Sequence, residues 1–245
     1  MRPVCIVTGA PSNGSKLLAH SLKNAGIVVV RSSRPREDHL NVGWGSPSGA
    51  GGLNQKLPPN KLWELQQVHK AGHNVIPFSV NASDLVSSNQ PIWGRMLKHS
   101  RGTDIVIVSP TTDSSGCVGL PKLPQRDFWT LGIPKVREYR IHVFQGLAVR
   151  CGAKRKETGE FEDKTQPIWN LDHGFQIRYE EHVPGGAKEL AKAAMKACKL
   201  DFGAVDIIHG KNGIFYFLEV NTRPGLHGNT AVKYANKIAQ LAKES

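Results

Sequence analysis

The sequence predicts an α/β protein of the mixed α+β kind, in which a small βαβ unit precedes a larger set of antiparallel strands. Up to about residue 55, the chain alternates between buried-strand and amphipathic-helix patterns, which predicts a small parallel sheet. In the C-terminal half, apolar runs are joined by short glycine-containing turns, which is typical of hairpins. With 245 residues and 39% hydrophobic content, the chain is long enough to bury a core.

The N-terminal unit consists of a strand, a glycine-rich loop, a helix and a second strand, over residues 4–8, 9–16, 17–25 and 27–31. The loop resembles a P-loop but departs from that motif, which needs lysine directly after its second glycine, because Ser15 stands between Gly14 and Lys16. Two interpretations stay open. Free N–H groups of residues 12–15 could hold a carboxylate or phosphate, or Ser or Asn simply caps the helix.

Residues 60–72 predict a helix with an Asn cap, one apolar face and a terminal glycine. Further on, residues 133–144 alternate polar and apolar side chains, which predicts a strand with one buried face. The polar side chains of that strand are Glu138, Arg140 and His142. After the turn at 145–146, the basic run 147–156 returns beside it. This run is either a solvated or nucleic-acid-binding face, or it turns cations such as Lys154 inward.

The C-terminal hairpin carries the strongest chemical signal. Its two apolar runs, 200–208 and 215–220, flank a glycine turn, and each ends in oxygen-bearing side chains. Glu219 and Asn221 are two residues apart on one strand, so they leave the same face and come to oppose Asp206. An all-oxygen cluster of this kind suits magnesium, whereas the simpler alternative is a hairpin with solvated acidic residues.

Composition narrows the class of protein. Lys and Arg number 32 against 20 Asp and Glu, giving a net charge of +12 that attracts polyanions, either a nucleoside triphosphate or a nucleic acid. The sequence lacks a membrane-length apolar run and a signal-peptide pattern, and its four cysteines show neither zinc nor disulfide spacing. We therefore expect a cytoplasmic protein without membrane partners.

The segments LDFGAVD (200–206) and LEVNTRPGL (218–226) resemble the closing motif of the ATP-grasp ligases, particularly small bacteriophage-encoded members. The resemblance implies an ATP-grasp fold and two magnesium ions held against ATP by Asp206, Glu219 and Asn221. It is specific over residues 126–245. It also implies three parts, namely an N-terminal βαβ domain (1–59), a central lid subdomain (60–125) and a C-terminal subdomain with the metal site (126–245).

The resemblance also implies roles for further residues. Strand, basic turn and strand over 90–109 form the lid that covers phosphates, although an ordinary basic hairpin stays an alternative because the turn contains little glycine. The segment 128–133 is the hinge that lines adenine, and Asn170 lies near the acyl acceptor. The nucleotide-binding candidates are Arg95, Lys98, Gly102, Thr130, Leu131, Arg140, Lys154 and Asn170.

The function implied is an ATP- and magnesium-dependent ligase that joins a carboxylate to an amine through an acyl phosphate and releases ADP and phosphate. The catalytic candidates are Arg140, Lys154 and Arg223. Arg223 would hold the substrate carboxylate, or it is a surface arginine. The partners would be small-molecule or peptide acids and amines. Two alternatives remain, a kinase that stops at phosphoryl transfer and a non-catalytic nucleic-acid-binding protein on the same scaffold.

Overall fold

The structure is a computed structural model that describes residues 1–10, 12–86, 90–97, 105–112, 114–115, 118–156, 169, 174–179 and 182–244. Four helices and fourteen strands lie within these ranges, together with a 3-10 turn at Ala82–Leu85. The mixed α/β class is therefore confirmed. No helix in the described part of the chain is both long and apolar enough to cross a membrane.

The N-terminal unit is a three-stranded parallel sheet with the order β2-β1-β3. Its strands are β1 (Val4–Val7), β2 (Val29–Ser32) and β3 (Leu40–Gly43), and helix α1 (Asn13–Asn24) connects the first two. Ser12 caps α1, because its hydroxyl accepts the N–H of Ser15 while the Ser15 hydroxyl accepts the N–H of Ser12. The capping interpretation of the glycine-rich loop is thus confirmed.

A small antiparallel sheet follows, in the order β4-β9-β5-β6. Helix α2 (Lys61–Lys70) precedes it and begins, as expected, at Asn60, whose side chain accepts the N–H of Trp63. The strands of this part of the chain are β4 (Phe78–Ser79), β5 (Ile92–Arg95), β6 (Val106–Val108), the separate pair β7 (Thr111–Thr112) and β8 (Val118–Gly119), and β9 (Phe128–Leu131). The expected strand, turn and strand segment corresponds to β5 and β6, which pair antiparallel.

The large sheet has five antiparallel strands in the order β12-β11-β10-β13-β14. They are β10 (Lys135–Phe144), β11 (Leu147–Lys156), β12 (Phe175–Tyr179), β13 (Phe202–Gly210) and β14 (Phe215–Asn221). Two-residue geometry closes the β10–β11 hairpin, since Gln145 and Gly146 both have positive φ values, as a type I′ turn requires. Both C-terminal hairpins predicted from the sequence are present.

Helices cover the large sheet and join it to the N-terminal unit. Helix α3 (Gly185–Ala197) packs on β10, β13 and β14, and the buried thiol of Cys198 belongs to that core rather than to a reactive site. Helix α4 (Thr230–Glu244) packs against α1 in a second core that contains Trp44 and Phe202. The C-terminal helix therefore anchors the N-terminal sheet.

Hydrogen bonding relates the strands to the expected domain limits of 1–59, 60–125 and 126–245. Strand β9 pairs with β4 and β5, so the small sheet includes residues beyond 125. Helix α2 packs on β14 of the large sheet. Strands on both sides of residue 125 therefore form the small sheet, and the exact domain limits stay a prediction.

Candidate active site

A β-bulge places the three predicted metal ligands on one face of the large sheet. Asp206 pairs with Glu219 and Ala204 pairs with Asn221, but Ile207 pairs with Phe217, which leaves Leu218 as the extra residue. Strict alternation from the buried Phe217 would turn Glu219 into the core, and the bulge reverses this. The Oε1 atom of Glu219 consequently lies 3.2 Å from Nδ2 of Asn221, on the Asp206 side.

Two basic residues from the neighbouring strands converge on Asp206. Arg140, directly opposite on β10, donates Nε to Oδ1 and Nη2 to Oδ2, both at 2.7 Å. Lys154 of β11 places Nζ 3.5 Å from Oδ2. Burial opposes ionisation of Asp206, but the adjacent Arg140 and Lys154 hold the pKa of that carboxyl well below its usual range. Asp206, only 1% exposed, is therefore a buried carboxylate that stays charged.

A second buried carboxylate, Glu138, extends this ionic cluster along β10. It accepts from Lys135 Nζ at 2.9 Å and also from Lys154. Burial works against the charge of Glu138, yet Lys135 and Lys154 lower its pKa. Lys135 additionally lies over the Trp169 ring, with 4.3 Å between Nζ and the ring centroid. Lys154 therefore bridges two carboxylates.

The small sheet contributes a buried arginine to the same region. Arg95 of β5 is 8% exposed, and its Nε donates to Thr130 Oγ1 on β9 at 3.2 Å. Within the described residues, no carboxylate lies within 4.0 Å of its guanidinium. Burial lowers the pKa of Arg95, and the more distant carboxylates of Glu219 and Glu138 offset this only in part. A buried guanidinium without a direct counter-ion is a suitable site for an anion such as a phosphate.

Helix α2 adds two charged side chains behind the predicted metal ligands. Lys61 lies 3.9 Å from Glu219 Oε2 and 3.5 Å from Glu64 Oε1. Burial opposes the charge of Lys61, but the carboxylates of Glu219, Glu64 and Asp206 together raise its pKa. Burial also raises the pKa of Glu64 to about 7. These two residues link the helix to the edge of the large sheet.

Not all of the predicted site residues enter the cluster. Leu131 lies half-buried on β9, next to Thr130. Arg223 is exposed in the loop after β14, and a Cβ added at Gly45 would lie 2.9 Å from its side chain. Lys98, Gly102 and Asn170 lie outside the described residues.

Four charged residues of the cluster were not predicted as site residues from the sequence. Glu138 was identified on the polar face of β10, and the same alternation that places it beside Arg140 could have added it to the site. For the others, the sequence offers no comparable signal, because their contacts depend on helix α2 and on a cation–π contact with a distant tryptophan. The missed residues are Lys61, Glu64, Lys135 and Glu138.

The donor atoms fit a hard divalent cation. Asp206, Glu219 and Asn221 present only oxygen and amide groups from paired strands, and magnesium favours such ligands. Arg140 and Lys154 neutralise the carboxylate of Asp206 in this structure. The residues present are thus compatible with magnesium bound to a nucleotide.

The arrangement of the sheets is that of the ATP-grasp fold. The structure superposes on the ATP-grasp ligase PsnB complexed with minimal precursor, Mg and ADP, with a TM-score of 0.67 and 9% identity over 98% of each chain. It also superposes on D-cycloserine synthetase DcsG with a TM-score of 0.62 and 14% identity, over 98% of this chain and 99% of that one. The resemblance to ATP-grasp proteins, and the fold it implies, are confirmed, whereas the narrower resemblance to bacteriophage proteins stays a prediction.

Curated sequences agree with this fold. The chain is 24% identical over 221 residues to a D-alanine–D-alanine ligase of Psychrobacter sp. (strain PRwf-1). This alignment covers 78% of this chain and 60% of that protein. It is 29% identical over 159 residues to the D-alanine–D-alanine ligase of Nitrosospira multiformis, covering 52% of each. The chain therefore spans a little over half the length of the curated relatives it matches. No protein-family model matches the sequence.

Proposed function

We propose that this protein is an ATP- and magnesium-dependent ligase that joins a carboxylate to an amine through an acyl phosphate. The observation that carries the proposal is the buried ionic cluster on one face of the large sheet. There, Arg140 and Lys154 meet the carboxylate of Asp206 beside Glu219 and Asn221. The ATP-grasp fold and the ligase names of the relatives support the same reaction class.

The cluster has an excess of positive charge suited to a triphosphate. Five basic side chains lie in or beside it, against four carboxylates, and Arg95 has no direct counter-ion among the described residues. Phosphoryl transfer is catalysed mainly by positioning and by neutralising charge that moves between oxygens. The basic members are Lys61, Arg95, Lys135, Arg140 and Lys154, and the acidic members are Glu64, Glu138, Asp206 and Glu219.

Each group has a defined task in the proposed reaction. Asp206, Glu219 and Asn221 would hold magnesium, two ions in our proposal, which neutralises phosphate charge when bound. Arg140 would leave Asp206 and bind the transferring phosphoryl group, with Lys154 beside it. Arg95, fixed by Thr130, would bind phosphate from the lid side, while Leu131 and the rest of the 128–133 segment would contact adenine.

The chemistry needs no covalent nucleophile on the protein. An oxygen of the substrate carboxylate attacks the terminal phosphorus, the bond to the bridging oxygen breaks, and ADP leaves. The amine then attacks the acyl carbon, phosphate leaves with the bonding electrons, and the amine loses a proton. Phosphorylation is required because oxide is a poor leaving group from a carboxylate.

The substrate class follows less directly from the chain. D-Alanine–D-alanine ligase and D-cycloserine synthetase are named for small molecules, while PsnB was solved with a precursor. We propose a small-molecule or peptide acid and an amine as partners. Arg223, exposed in the loop after β14, would hold the substrate carboxylate.

Product analysis tests the reaction class. With ATP, magnesium and pools of acids and amines, we expect ADP and phosphate, and hydroxylamine should trap the activated acid as a hydroxamate. Arg140→Ala should reduce trapping more than it weakens ATP binding, because Arg140 acts on the phosphoryl group in transfer. AMP as the product would contradict the mechanism. ADP with a stable phosphorylated product and no hydroxamate would support the kinase alternative.

The net positive charge of the chain needs a separate test. A net charge of +12 would also favour nucleic acid, which was the second hypothesis from composition. Short DNA and RNA should be titrated at low and at moderate ionic strength. If neither binds at low salt, nucleic acid is excluded as a partner.

A further inference from the structure

Strand β14, which carries two of the predicted metal ligands, lies at the edge of the large sheet. Other parts of the chain form hydrogen bonds with its outer edge. Strand β14 pairs only with β13 within the described sheet, so its outer N–H and C=O groups need partners. Near the middle of the strand, the N–H of Phe217 donates to Asn74 O at 2.9 Å. The carbonyl oxygen of Phe217 accepts the N–H of Ile76 at 3.1 Å. Past the bulge, backbone partners give way to side chains.

Two side chains of helix α2 bind both main-chain polar groups of Val220. The Oε2 atom of Glu64 accepts the Val220 N–H at 2.9 Å, and Lys61 Nζ donates to Val220 O at 2.5 Å. Val220 is the residue between Glu219 and Asn221. The two predicted metal ligands therefore extend from a backbone segment whose outer edge is held by α2.

The contact is built rather than incidental. Glu64 is 4% exposed and lies on the buried face of α2 with Leu65 and Val68, and Asn60 fixes the start of that helix. A buried carboxylate costs free energy unless it is bonded, and Glu64 obtains a backbone N–H and a lysine as partners. The bulge at Leu218 makes such a device useful, because the strand there lacks regular pairing.

We infer that Glu64 is a positioning residue, which holds the backbone at Val220 so that Glu219 and Asn221 present their oxygens together to a metal–nucleotide complex. This inference rests on the proposed function. Glu64 touches neither predicted metal ligand side chain and acts through the main chain and through Lys61. Groups that orient metal ligands typically change metal affinity by about 10- to 100-fold when removed.

Magnesium dependence of nucleotide binding tests the inference. A fluorescent ADP analogue is titrated with magnesium in the wild-type protein and in Glu64→Ala, Glu64→Gln and Glu64→Asp, and each melting temperature is measured alongside. Glu64→Gln keeps an oxygen that accepts the Val220 N–H, whereas Glu64→Asp draws the carboxylate back by one methylene. Glu189→Ala is the matched control, since Glu189 also pairs with a lysine three residues away on a helix but is exposed.

The expected result is a rise of about 10-fold in the half-saturating magnesium concentration for Glu64→Ala. A smaller rise is expected for Glu64→Asp, near wild-type behaviour for Glu64→Gln, and no change for the control. Should Glu64→Ala fail to fold, Glu64→Asp and Glu64→Gln carry the comparison.

Variants that melt at lower temperature but keep the wild-type magnesium midpoint would overturn the positioning role and leave Glu64 purely structural. Equal losses in Glu64→Gln and Glu64→Ala would also overturn it, because the backbone contact would then be irrelevant. If the wild-type protein itself shows no magnesium-dependent binding, the proposed function fails instead.

Discussion

The polar face of strand β10 has an ionic end and a neutral end, although polar and apolar residues alternate in the same way from Glu138 to His142. Glu138 and Arg140 are ionised and paired with Lys154 and Asp206. His142, two residues further along β10, is completely buried and neutral, because burial first and the nearby Arg140 second lower its pKa to about 3. Helix α4 contributes to the difference, since it covers His142 with Tyr234.

The neutral end is a hydrogen-bond chain with a defined direction. Tyr234 donates its hydroxyl to Gly203 O at 3.0 Å, so it accepts from Nδ1 of His142 at 3.1 Å. Nε2 must then accept the hydroxyl proton of Tyr179 at 2.9 Å. Burial raises the pKa of Tyr179 to about 12, so this hydroxyl keeps its proton at neutral pH. One end of this strand face is therefore held by ion pairs, and the other end is held by hydrogen bonds between neutral groups.

The largest effect is expected from neutralising the ionic end. Asp206→Asn leaves Arg140 and Lys154 without their shared counter-ion, and breaking a buried pair in this way costs about 3–5 kcal/mol of unfolding free energy. Urea unfolding measures the loss. Glu189→Gln, which removes an exposed pair with Lys192, should cost about 0.5 kcal/mol or less. Equal small effects at both positions would show that the cluster is not a buried charge network.

A pH series separates the neutral end from the ionic one. Because the pKa of His142 falls from 6.5 to about 3 on folding, the unfolded chain binds more protons between these values. Its contribution to stability is complete above pH 6.5 and falls by up to about 1.4 kcal/mol per pH unit below it. The difference in unfolding free energy between wild type and His142→Gln should therefore shrink as the pH is lowered from 6.5 to 4.5. The carboxylates titrate alike in both proteins, so a difference independent of pH would contradict a neutral buried His142.

The smallest loss of unfolding free energy is expected from removing the Tyr179 hydroxyl, which binds His142 at the neutral end. Tyr179→Phe removes the donor to Nε2 of His142 and should cost about 1 kcal/mol of unfolding free energy. The control is Tyr216→Phe, because the Tyr216 hydroxyl accepts an exposed hydrogen bond from Asn212 and should cost much less. Matching urea midpoints for the two variants would break the proposed chain.

The sequence predicted the strands and hairpins well, but it did not predict the contacts between side chains that are distant in the chain. Alternation along β10 and the glycine turn after β13 sufficed to place Arg140, Asp206 and Glu219 on neighbouring strands. The same alternation could not show that α4 covers His142, since that contact joins residues 92 positions apart. The link from Glu64 to Val220 was equally hidden, because a glutamate normally faces solvent and the two residues are 156 positions apart in the chain.

Nucleotide binding with and without magnesium tests the central claim most directly, namely that Asp206, Glu219 and Asn221 form a metal site for ATP. Calorimetric titration of the wild-type protein with ATP should show binding in magnesium that collapses in EDTA. Glu219→Ala should abolish the magnesium effect, whereas the exposed Glu189→Ala should keep it. ATP binding of equal strength in EDTA and in Glu219→Ala would contradict the metal assignment and with it the account of this site.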